Sequence, residues 1–265
     1  MTANPDVPHR LELTFELPGT PEQVWQAIAT GAGVSSWFLP TDIEERPGGA
    51  VITHMGDTSS PGRITAWEPN RRFAYEEPEW PSLAGQDGAT VTPLASEFVI
   101  EAQSGGTCVL RVVTSAFGTG ADWEDEFFDG LRAGWLPYFE RLRLYLTHFP
   151  GQRATTLEVS HVVPKADPHR LLAAVHRALG VGDGGETGQP VEVQSTKGQL
   201  EHLDHNNVLL RITDPVPGLL GFLVYEAEGG AQAMIHGHLF SDDAPAYVER
   251  ERSAWQSWLE GLDPF

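Results

Sequence analysis

Cysteine is almost absent: the 265 residues hold one, Cys108. An intramolecular disulfide is excluded, and so is a zinc site built from cysteines. Positive charge is also scarce. Seventeen Lys and Arg stand against 37 Asp and Glu, a formal charge of -20. That acidity disfavours a nucleic-acid backbone or an anionic membrane surface as partner. No apolar run approaches the ~20 residues of a membrane-spanning helix. Residues 1–9 form a polar tail without an apolar core of signal-peptide length, and the expectation is a cytoplasmic protein. A Ser-His-Asp motif, a phosphate-binding glycine loop and a dinucleotide fingerprint are all missing. Gly182 to Gly188 is glycine-rich but lacks the lysine and the strand–helix setting such loops need. No cofactor is expected, and no catalytic residue is assigned.

What is present is a long aromatic helix. From Ala121 to Phe149, apolar residues fall at Trp123, Phe127, Leu131, Trp135, Tyr138, Leu142 and Tyr145. Steps of three and four define one helical face, and Pro137 is expected to kink it. The segments before it read mostly as strands. Leu11, Leu13, Phe15 and Leu17 alternate with polar residues from Arg10 to Leu17. Thr20-Pro21-Glu22-Gln23 opens a short helix with a cap, a first-position proline and a capping box. Strands are expected at residues 41–45, 50–54, 62–67, 71–76, 96–102 and 107–115, the last two joined through Ser104-Gly105-Gly106. Pro78 to Pro93 reads as a long loop, anchored by Trp80 and Leu83 or acting as a flap. The class is α+β: a curved antiparallel sheet gripped by a long C-terminal helix.

The order then repeats in shorter form. Thr155 to Val163 mirrors the first strand, and Asp167-Pro168 opens a helix as Thr20-Pro21 does. Phe222-Leu-Val-Tyr-Glu-Ala-Glu-Gly-Gly matches Phe98-Val-Ile-Glu-Ala-Gln-Ser-Gly-Gly. Ala254-Trp255 and Trp258-Leu259-Glu260 match Gly134-Trp135 and Tyr138-Phe139-Glu140. Three anchors in the same order predict two tandem copies. The expected domains are residues 10–149 and a reduced copy at 154–265, with a smaller sheet and little interior space.

The residues Thr20-Pro21, Val24-Trp25, Trp37-Phe38-Leu39-Pro40, Pro47-Gly48-Gly49, Gly62-Arg63-Ile64, Glu68-Pro69, Arg71-Arg72-Phe73 and Gly134-Trp135 together resemble the SRPBCC superfamily. They are most similar to the branch named for activators of the heat-shock-protein ATPase. The resemblance implies a helix-grip fold with a hydrophobic cavity between sheet and helix. It further implies a choice among three roles: binding a small hydrophobic molecule, acting on one as a cyclase or hydrolase, or serving as a co-chaperone. Within this family frame the candidate ligand-binding residues are Trp37, Phe38, Trp67, Tyr75, Trp123, Phe127, Trp135 and Phe139. His54, Arg63, Arg111 and Thr114 join them as polar contributors. The expected partner is a small hydrophobic molecule, with a protein partner as the alternative, and neither nucleic acid nor membrane. His236 and His238 share one face of a strand, and His202 and His205 flank Asp204. Without a third ligand at a diagnostic spacing, no metal is assigned.

Overall fold

The computed structural model describes residues 6–182 and 184–265. The chain divides into two compact units, one ending at Arg153 and the other running from Ala154 to Phe265. Each has its own antiparallel sheet, of seven and six strands, and together they are two tandem helix-grip folds.

The first unit contains, in chain order, β1 (Val7–Pro18), α1 (Pro21–Ala29), α2 (Gly31–Val34), β2 (Thr41–Ile43), β3 (Ala50–Met55), β4 (Thr58–Glu68), β5 (Arg72–Glu77), α3 (Trp80–Leu83), β6 (Leu94–Ala102), β7 (Thr107–Gly118) and α4 (Asp122–His148). The sheet order is β1-β7-β6-β5-β4-β3-β2: a meander whose last strand closes against its first. The strand expected from Arg10 starts earlier, because its pairing with β7 continues to Val7 opposite Gly118. Pro8 is tolerated there since β1 is an edge strand and one missing donor leaves no central ladder broken. Part of the polar tail, residues 1–5, lies outside the described residues.

Local chemistry sets the helix ends. Gln23 N–H donates to Thr20 Oγ1 at 3.4 Å and Thr20 N–H to Gln23 Oε1 at 2.9 Å, the reciprocal box expected from the sequence. After α1, Thr30 Oγ1 donates to Gln26 O at 2.7 Å and accepts from Gly33 N–H at 3.0 Å. The chain turns so tightly here that a Cβ on Gly33 would lie 1.8 Å from Gln26 O, so only glycine fits. Helix α4 runs through Pro137 as one element. The loop after β5 is pinned by Trp80, which is fully buried and donates its indole N–H to Thr92 O at 2.9 Å.

The second unit holds β8 (Thr155–Pro164), α5 (Pro168–Leu179), β9 (Pro190–Val193), β10 (Thr196–Leu203), β11 (Asn207–Asp214), β12 (Gly218–Ala227), β13 (Gly230–Leu239) and α6 (Ala244–Glu260). Its order, β8-β13-β12-β11-β10-β9, repeats the first sheet without a counterpart of β2. Asp167 caps α5 by accepting from His169 and Arg170 N–H at 2.9 and 3.2 Å, and Gly180 ends it at φ 68°. The interior is filled by Leu157, Leu171, Leu200, Phe222 and Trp255, with Trp258 and Leu262 packed against them. In the glycine-rich stretch 182–188, Asp183 lies outside the described residues.

Candidate functional site

Register decides which side chains face the interior of the first unit. Thr53 pairs with Ser60 and Val51 with Gly62; Ile64 pairs with Tyr75; Phe73 pairs with Phe98 and Tyr75 with Ser96; Ser96 pairs with Thr114. Residues two apart share a face, so these rows line the concave side. Trp37, Phe38, Tyr75 and Trp135, with Phe73, Phe98, Ile43, Val51 and Thr53, enclose a pocket of about 30 Å³. The sequence expectation of a roomy hollow is corrected here, because the protein's own rings fill most of the space. Phe38 stacks on Trp135 with centroids 5.2 Å apart and meets Tyr138 edge-on at 4.6 Å. Trp135 in turn lies 5.3 Å from Phe139.

The other sequence candidates lie elsewhere. Phe139 is buried below the pocket, stacked on Phe15 at 4.1 Å. Trp67 packs against Trp25 and Phe73 at 5.0 and 5.7 Å. Trp123 and Phe127 join a separate cluster around Trp80, at 5.2 and 4.7 Å. Three of the four polar contributors are on the opposite face of the sheet, while Thr114 faces inward opposite Ser96. His54 bonds Asp42 at 2.9 Å, Arg63 pairs with Glu76 at 3.0 Å, and Arg111 pairs with Glu12 at 3.3 Å. Each is one residue out of phase with an inward neighbour: Thr53, Ile64, and Leu110 with Val112.

Besides Thr114, other polar groups face inward. Ser60 Oγ donates to Glu77 Oε1 at 2.5 Å. Burial raises the Glu77 carboxyl above its ordinary value, and the Ser60 hydrogen bond only partly opposes it. Burial and the neighbouring Glu77 likewise raise the Tyr75 phenol, against a hydrogen bond with Ser96. Ser96 Oγ lies 3.3 Å from Thr114 Oγ1. On the helix side, the Trp135 indole N–H is buried and has no hydrogen-bond partner among the described residues. The indoles of Trp37 and Trp80 both have acceptors, at 2.8 and 2.9 Å. Leaving such a donor unmet costs about 1–3 kcal/mol.

Two charged clusters resolve as structural or unassigned. Glu124 is fully buried and accepts from His9 Nε2, Thr119 N–H, Thr119 Oγ1 and Gly120 N–H at 2.9, 2.9, 3.0 and 2.9 Å. It ties the start of α4 to β1 rather than facing the pocket. His236 and His238 are buried with ring centroids 4.7 Å apart. His202 and His205 lie 3.1 and 3.9 Å from Asp204. No group of three or more His, Cys, Asp or Glu placed to hold a metal occurs among the described residues. Among the described residues, no helix is long and apolar enough to cross a membrane.

The family model described as Activator of Hsp90 ATPase homolog 1-like protein (AHSA1) matches residues 18–147. The first domain belongs to the AHSA1 family. No curated protein matches the chain. Among solved structures, protein MLL2253 from Mesorhizobium loti is 22% identical, covers 53% of this chain and 98% of its own, and superposes with a TM-score of 0.46. The di-domain ARO/CYC BexL from the BE-7585A biosynthetic pathway is 14% identical, covers 95% of this chain and 96% of its own, with a TM-score of 0.44. The Aha1 dimer from Colwellia psychrerythraea is 16% identical, covers 52% and 96%, with a TM-score of 0.42. The AHSA1 match runs from the end of β1 to the end of α4, so it contains the whole pocket. Sequence reasoning missed Ser60, Glu77 and Ser96 within this AHSA1 domain. Their signal was available in β5, where Glu77 keeps the phase of Phe73 and Tyr75.

Proposed function

We propose that the first domain binds a small hydrophobic molecule in the pocket beneath Trp135, by an opening motion that parts Phe38 from Trp135. The observation that carries this reading is the Trp135 indole: a buried donor without an acceptor among the described residues, on the wall of a largely apolar pocket. A merely filled core has no reason to leave that group unmet. The AHSA1 fold supports the same reading. At about 30 Å³ the closed pocket is far below the ~300 Å³ at which ligand sites begin. Binding therefore requires a minor open state, and the apparent affinity falls by the fraction of time it is open.

The sequence of α4 supplies a means of opening. Gly130, Gly134 and Pro137 bracket Trp135. Each glycine costs a helix about 1 kcal/mol relative to alanine, and proline removes a backbone bond. A Cβ at Gly130 or Gly134 would meet nothing within 4 Å, so packing does not require glycine at either position. Their softness is the remaining physical reason to find them there. Replacing both by alanine is expected to stabilise the domain by up to ~1 kcal/mol per site and to weaken ligand uptake. Denaturant titration and quenching of tryptophan fluorescence by naphthalene read the two effects. For the wild type the expected result is saturable quenching with one molecule per chain. Unsaturable quenching, or uptake unchanged in the stiffened double variant, counts against the reading.

An enzymatic role would need a proton-transfer group in contact with the ligand. Glu77 and Tyr75 are the inward-facing groups able to serve, which is the specific observation favouring this second reading.

A further inference from the structure

Besides the indoles of Trp37 and Trp135, the polar side chains on the pocket wall are Thr41, Thr53 and Tyr75, and Glu77 stands beside that wall rather than in it. A Cβ placed on Gly62 would lie 3.2 Å from Glu77 Cγ and 3.4 Å from the Tyr75 ring, so the Glu77 stem and the pocket-lining Tyr75 flank the same point. Ser60, the buried partner of Glu77, stands opposite the pocket-lining Thr53. No lysine or arginine occupies an inward position of β3 to β7 among the described residues. Across the pocket stands the Trp135 N–H, a donor awaiting an acceptor.

Resting on the reading of this pocket as a ligand site, we infer that it selects an uncharged molecule with an apolar body and a carbonyl or ether oxygen, and that Glu77 turns anionic molecules away. A ligand oxygen accepting from Trp135 satisfies a group that a pure hydrocarbon leaves unmet, and sites built to hydrogen-bond discriminate strongly in this way. A ligand carboxylate would instead enter near a half-buried carboxyl, with no lysine or arginine of β3 to β7 facing either among the described residues. Two carboxyls in one such space cannot both stay ionised without cost. Ser60 fixes the Glu77 side chain, so the repelling group cannot simply swing out to water.

Three probes of nearly one shape separate these effects: naphthalene, 2-acetylnaphthalene and 2-naphthoate, titrated at pH 8 into the full-length protein. The wild type is expected to bind the ketone about tenfold more tightly than either of the other two. Glu77→Gln, which keeps the shape and a hydrogen-bonding group for Ser60, is expected to bring the carboxylate to within about threefold of the ketone. Trp135→Phe is expected to remove the ketone's advantage over naphthalene while leaving the penalty on the carboxylate. Circular dichroism verifies that both variants fold. Equal binding of ketone and carboxylate by the wild type, or an unchanged gap in Glu77→Gln, overturns the inference. If naphthalene binds and the ketone binds no better, the selectivity falls while the binding function stands. If none of the three binds, even to a Phe38→Ala variant with an enlarged pocket, both fall.

Discussion

Truncating Trp80 to alanine is expected to cost the first domain about 4 kcal/mol and to free the segment between β5 and β6. Trp80 is fully buried, with the rings of Trp123, Phe127 and Phe128 at 5.2, 4.7 and 6.2 Å. It is the one large group that this long, polar stretch sends into the core, with Leu11, Leu94 and Ala116 around it. Its indole N–H also closes the loop on itself through Thr92. Removing the ring therefore loses apolar burial, leaves a cavity under the N-terminal half of α4 and deletes the loop's internal tie. Denaturant unfolding gives the energy. Limited proteolysis gives the location, with new cleavage expected between residues 84 and 93. A loss under 1 kcal/mol, or cleavage elsewhere first, would mean the loop is held by other contacts.

Glu124→Ala is expected to cost about 3 kcal/mol near neutral pH, with the loss shrinking as the solution becomes acidic. The carboxylate receives four hydrogen bonds, and its removal leaves the buried His9 with Asp125, 3.3 Å from Nδ1, as its remaining ion-pair partner. Burial alone would raise the Glu124 pKa, but the bonds from Thr119, Gly120 and His9 outweigh it and hold the carboxyl below its ordinary 4.5. A depressed acid stabilises the fold above its unfolded value and stops doing so as pH falls through its folded value. Wild type and variant should thus differ most above pH 4.5 and converge below it. Gly118 is part of the same unit, since a Cβ there would sit 2.2 Å from Glu124 Oε2. A stability difference that is flat across the acidic range would show that folding does not depress the Glu124 pKa.

Much of this architecture was legible from residue patterns. The Thr20–Gln23 box, the Asp167 cap and the glycine hairpins state local geometry directly. The repeat anchors Phe98 and Phe222 fall on matching strands of two sheets with the same order, β6 and β12. The aromatic face of α4 was also readable, but not its division of labour. Trp123 and Phe127 serve the Trp80 cluster, while Trp135 serves the pocket. A helical period says which residues share a face, and nothing about which part of the sheet each will meet. The polar side of the pocket was misread for a plainer reason. Arg63, His54 and Arg111 were placed inward by their chemistry, although alternation against Ile64, Thr53 and Leu110 sends them out. Glu77 was passed over because an acid next to Glu76 looks like solvent-facing charge. The size of the pocket was beyond any pattern, since it depends on how rings from α4 and the 35–40 turn interlock.

The reading of the first domain depends on a closed aromatic pocket that opens. Phe38→Ala tests this most directly, because it removes the ring that closes the pocket against Trp135. Naphthalene titrated into both proteins should bind the variant at least about tenfold more tightly than the wild type, one molecule per chain, since the variant no longer has to open. Equal affinity in the two proteins, or no saturable binding in either, would contradict it.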